Sequence, residues 1–169
     1  MFYKTEQECR EIAECLGYDR DKLVRAESEP PCSGCIRVFI EDERARSYAI
    51  ANKLASFLDN FSSCLVWVNE YGIWPSSENW HLYNRLRSSY GDLRELHTAP
   101  GHKFDGYERP DLITLIDLMI LFGWGGHVLA SSGSMYISHD GWVRIFVPDK
   151  KHEEILREFE SWQLKFEVE

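Results

Sequence analysis

The chain has 169 residues, 28 of them Asp or Glu against 19 Lys or Arg, for a formal net charge of -9. Hydrophobic residues make up 44% and aromatic residues 14%, enough apolar material for a core, which excludes a disordered or low-complexity chain. The longest apolar stretch, Leu112 to Trp124, is interrupted by Asp117 and Gly123 and falls short of the roughly 20 residues that a bilayer span needs.

The expected organisation is a single domain over 1–169, with residues 1–35 partly irregular. Thr5 and Glu8 form a capping box ahead of a helix to Leu16, whose apolar face is Cys9, Ile12, Ala13 and Leu16. Gly17 stops it. Tyr18 to Cys35, with Pro30-Pro31, reads as a loop. Ile36–Ile40 is a strand, and Asp42–Leu58 is the longest helix, with Ala45, Tyr48, Ala49, Leu54, Ala55 and Leu58 inward. The unbroken apolar run Cys64–Val68 fits a central strand buried on both faces. Strand, helix and strand in this order predict a right-handed βαβ unit.

A helix starts near Ser76 after Pro75 and stops at Gly91, with Trp80, Tyr83 and Leu86 inward and Arg85 and Arg87 more exposed. Leu93–His97 is read as a short strand, and Ala99-Pro100-Gly101 as a turn. The helix from Pro110 to Phe122 is apolar almost all round and is expected in the core, lying across the sheet. His127–Ala130, Met135–Ser138 and Trp142–Val147 form an antiparallel meander with an Asp140-Gly141 turn. An amphipathic helix from Asp149 to Trp162 and an edge strand from Leu164 to Val168 close the chain. The predicted fold class is mixed α/β (α+β), with a central sheet of five to six strands and about five helices.

The chemistry-bearing patterns are sparse. Cys32 and Cys35 form the one CxxC, which is half of a four-ligand zinc site or simply two loop cysteines. No basic n-region and apolar h-region open the chain, and five cysteines is an odd count, so reduced thiols and a cytoplasmic location are expected. His97 and His102 flank a Pro-Gly turn with Asp105 and Glu108 nearby, a set suited to acid–base work or a transition metal, or to ordinary surface histidines. Walker A, GxGxxG and GxSxG signatures are missing, and no cofactor is expected. An acidic chain with one small basic cluster, Arg85, Arg87 and Arg94, argues against nucleic acid as a partner.

The densest stretch runs from Trp67 to Arg87, just past the end of the predicted central strand, the edge where open α/β sheets bind ligands. Glu70 and Glu78 make a carboxylate pair, Tyr71 and Trp74 are stacking surfaces, Arg85 is an anion clamp, and Trp80 and Arg87 are further binding candidates. The competing reading folds the aromatic rings back onto the core.

The segments Trp67-Val68-x-Glu70-Tyr71-Gly72-Ile73-Trp74-Pro75-Ser76-Ser77-Glu78-Asn79 and Pro100-Gly101-His102-x-Phe104 resemble an uncharacterised bacterial protein family. The resemblance covers the middle of the chain and implies a bacterial, cytoplasmic origin. It carries no activity and no functional residue.

Three functions fit these patterns. The first is a non-enzymatic binding protein acting through protein–protein contact, immunity- or inhibitor-like, against a basic partner. The second is a small hydrolase with acid–base groups among Glu70, Glu78, His97 and His102 and an anion held by Arg85. The third is a homo-oligomeric structural or regulatory module joined through an apolar helix face or the last strand.

Overall fold

Thr5 caps the first helix as its sequence predicts: its hydroxyl accepts from the Glu8 amide, and the Glu8 carboxylate accepts from the Thr5 amide. A computed structural model describes residues 1–19, 23, 35–58, 61–71 and 80–169. In chain order the elements are β1 (Phe2–Lys4), α1 (Glu6–Cys15), β2 (Cys35–Phe39), α2 (Ser47–Phe57), β3 (Ser63–Glu70), α3 (Trp80–Ser89), β4 (Gly101–Asp105), α4 (Arg109–Phe122), β5 (Gly125–Ala130), β6 (Gly133–Ile137), β7 (Trp142–Phe146), α5 (His152–Ser161) and β8 (Lys165–Val168). None of the described helices is long and apolar enough to cross a membrane.

The strands form one sheet in the order β1-β4-β3-β5-β6-β7-β2-β8, with eight strands rather than five to six. Every neighbouring pair is antiparallel. The expected βαβ unit is therefore corrected. Three strands separate β2 from β3, because the β5–β6–β7 meander, closed by tight local turns, lies between them. The meander itself and the β8 edge follow the sequence pattern.

β1 and β4 escaped the pattern. The first is three residues long, and the second alternates Gly101, Lys103 and Asp105 with His102 and Phe104, whose imidazole reads as polar yet is fully buried. Leu93–His97 is not a strand but an irregular turn. The expected helix from Asp42 begins instead as a 3-10 turn over Glu41–Arg46, which shifts the helical phase of residues 47–57. Ile50, Ala51, Leu54 and Ala55 then point inward, whereas Tyr48 is exposed.

Strand alternation sorts the sheet into two faces. On the first, Cys64, Val66 and Val68 of β3 join Val128, Met135, Ile145 and Ile36 in the main core, roofed by α2 and α4. α4 buries Leu112, Ile113, Leu115, Ile116, Met119, Ile120 and Phe122, and Gly123 ends it in the left-handed conformation at φ 63°. On the opposite face Leu65, Trp67 and Leu129 pack under Cys9 and Ala13 of α1, together with Leu23. β3 is thus covered on both sides, as its unbroken apolar run requires.

Candidate functional site

The carboxyl end of β3 delivers Tyr71, and α3 begins with Trp80. Their rings meet edge to face, with centroids 5.7 Å apart and planes at 88°. With Asn84 one turn further along α3 and Glu95, Leu96 and His97 from the turn before β4, they line a cleft of about 310 Å³. That volume is near the lower end of small-molecule pockets, roughly 300–1,000 Å³. Tyr71 and Trp80 are half-buried, and Glu95 and His97 are exposed and pair at 3.1 Å. Burial raises the Tyr71 phenol above its ordinary value.

The cleft has a rigid floor. Trp80 leans on the fully buried Trp124 at 5.4 Å, and Trp124 meets Tyr83 edge to face at 5.1 Å. Beneath lies a polar cluster sealed from solvent. Arg87, 1% exposed, donates through Nη1 to the Tyr83 hydroxyl at 2.7 Å and to the Ala99 carbonyl at 2.9 Å. A guanidinium only donates, so the Tyr83 oxygen accepts from it, and the same hydroxyl pairs with His102 Nε2 at 2.6 Å. Arg87 also stands over the Tyr3 ring at 4.1 Å. Its charge is balanced by Asp92 at 3.5 Å, which Arg94 holds from the outer side.

Burial, helped by the Arg87 charge, pushes His102 down to about 3, so it is neutral. The Arg94 hydrogen bonds hold Asp92 at about 2. This cluster ties β1, α3, β4 and the turn between them into one unit. It positions the cleft rather than meeting a ligand.

A second polar cluster occupies the opposite face. A bulge between Val68 and Glu70 turns the Glu70 side chain to that side. There its Oε2 accepts from the Tyr136 hydroxyl at 2.6 Å and from His139 Nδ1 at 2.7 Å. His139 Nε2 lies 3.3 Å from Asp140. Gly125 makes the room, since a Cβ there would overlap the Glu70 carboxylate. His127, beside Tyr136, meets the Leu23 carbonyl at 2.7 Å, and burial pushes it down to about 4.

The structure therefore brings together some of the residues read from the sequence and separates others. Tyr71, Trp80 and His97 share the cleft. Glu70 and His102 do not share a site: β3 divides them, and His102 is inaccessible. Arg87 was expected toward the surface but is buried, because Tyr83 and Ala99 offer it acceptors, Asp92 a counter-charge, and Tyr3 and Tyr83 aromatic faces. Arg85 is exposed and does not line the cleft. Cys35 is buried at the start of β2. Cys32, Trp74 and Glu78 lie outside the described residues.

Asp105 caps a turn, and Glu108 bonds the Met1 amino group, so the expected His–carboxylate loop set does not assemble. Among the described residues no group of three or more His, Cys, Asp or Glu side chains is placed to hold a metal ion.

Comparison with protein-family models, curated proteins and solved structures finds no match. The functional reading rests on the cleft and the two clusters. Asn84, Glu95 and Leu96 escaped the sequence reading because neither a polar position on a helix nor a segment read as a short strand signals a cleft. Tyr136 and His139 escaped it because hairpin residues carry no signal for what lies across the sheet.

Proposed function

We propose that the chain is a non-enzymatic, cytoplasmic binding protein, immunity- or inhibitor-like, that holds a basic protein partner at the Tyr71–Trp80 cleft. One observation carries this reading. Two half-buried aromatic rings stand at right angles in an open cleft, and Trp80 is backed by the buried Trp124. Aromatic anchors set rigidly in a recess are what protein contacts favour, because little side-chain freedom is lost on binding. The imidazole beneath the cleft is neutral and sealed, so it adds no acid–base group to those the described cleft residues carry. The net charge of -9 favours a basic partner through long-range attraction.

The test is capture of partners from a lysate of the source cells by the immobilised chain and by a Tyr71→Ala/Trp80→Ala form whose circular dichroism is unchanged. A stoichiometric basic protein lost with the double substitution supports the reading. The same protein retained by the double substitution overturns it.

A second reading, a small hydrolase, keeps Glu70 among the described residues expected for it, now with His139 and Tyr136 as bonded neighbours. A hydrolytic activity abolished by Glu70→Gln and untouched by Trp80→Leu would favour it.

A further inference from the structure

We infer that the group seated in the cleft is an arginine side chain of the partner, an inference that rests on the binding reading above. The cleft holds about 310 Å³, at the lower end of small-molecule sites and room for one side chain. Its walls include the half-buried Tyr71 and Trp80 rings, and aromatic surface in a cleft attracts a cation through the ring quadrupole. Its rim is Glu95, whose side chain is 76% exposed, and Asn84, whose amide oxygen is a further acceptor.

Among the described cleft residues His97 is the one basic side chain, and it already faces the Glu95 carboxylate at 3.1 Å. An incoming permanent cation takes over that carboxylate. Leu96, buried at the base, gives the aliphatic stem an apolar contact. A guanidinium suits this set better than an ammonium: it is planar, it stacks on rings, and its fork bonds a carboxylate through two parallel donors. The overall charge of -9 adds attraction at a distance and repels acidic competitors.

The probes are four capped hexapeptides that differ at one central position: arginine, lysine, citrulline or norleucine. Binding to the full chain is read by tryptophan fluorescence and by NMR shifts of the indole N–H groups at low and high salt. The arginine peptide is expected to bind at least tenfold tighter than its citrulline isostere and severalfold tighter than the lysine peptide. Salt should shrink the arginine–citrulline gap. Glu95→Gln, on the exposed rim where folding is not at stake, should weaken arginine binding about tenfold and leave norleucine binding unchanged. Trp80→Phe should retain part of the binding, and Trp80→Leu should lose it.

Citrulline binding as tightly as arginine overturns the inference. So does lysine matching arginine, or Glu95→Gln having no effect. If a neutral peptide binds as tightly as the arginine peptide and in a Trp80-dependent way, the arginine assignment fails and the binding reading stands. That reading fails separately, when the double aromatic substitution leaves partner capture intact.

Discussion

The two polar clusters of this protein use the same kinds of residue and do different things. On one face of the sheet Arg87, Tyr83 and His102 form a buried chain of donors and acceptors, with the partly exposed Asp92 at its edge. On the other, Glu70, Tyr136, His139 and Asp140 form a similar chain at the rim, where Glu70 and His139 are partly exposed. The first cannot exchange protons or ligands without the fold opening, so its role is to hold β1, α3 and β4 in register behind the cleft. The second is reachable from solvent and costs less to disturb. Residue type alone does not separate a scaffold from an accessible site; burial does.

The largest test of this contrast is removal of the buried cation. Arg87→Met should cost about 3 kcal/mol in urea unfolding, because the Tyr83 hydroxyl and the Ala99 carbonyl lose their donor inside the protein. A loss under about 1 kcal/mol, the net worth of one ordinary hydrogen bond, would mean that the cluster does not brace the fold.

Acid provides the next test. His102 and His127 are held at about 3 and about 4, below the ordinary 6.5. Between the folded values and the ordinary one, the unfolded chain carries the protons and the folded chain does not. Stability is therefore full above about pH 6.5 and falls as pH drops, by up to about 1.4 kcal/mol per pH unit for each histidine. Denaturant titrations at about pH 7 and about pH 5, on either side of the ordinary histidine value, should show the loss, and His127→Gln should reduce its slope. Equal stability at both pH values would contradict it.

At the accessible cluster the effects are smaller. Gly125→Ala forces a methyl group into the Glu70 carboxylate and should cost about 2 kcal/mol. Adding Glu70→Ala should recover part of that loss, a non-additivity that a double-mutant cycle measures. Fully additive losses would place the strain elsewhere. Tyr136→Phe removes one hydrogen bond to a partly exposed carboxylate and should cost about 1 kcal/mol by thermal melting. A cost equal to that of Arg87→Met would erase the distinction between the clusters.

Several elements were legible before any tertiary information. Thr5 and Glu8 announce α1, the run from Cys64 to Val68 announces a doubly covered strand, and Asp140-Gly141 announces a hairpin. These signals are local: a cap, a run and a turn each act within a few residues. The mixed class and the C-terminal meander follow from them. Tyr71 was legible as a stacking surface just past the end of a buried strand, together with Trp74, whereas Trp80 was expected mainly inward.

What tertiary structure alone decided is which distant residues meet and on which side. The spacing of Arg85 and Arg87 does not reveal that one is exposed and the other sealed, since that depends on Tyr3, near the start of the chain, and on Ala99. The bulge after Val68 sends Glu70 away from His102 and toward Tyr136 and His139, and a one-residue shift in a strand reverses the face of every side chain beyond it. Local propensity fixes the elements. Strand order and register, which the sequence encodes only through the packing of the whole, fix the sites.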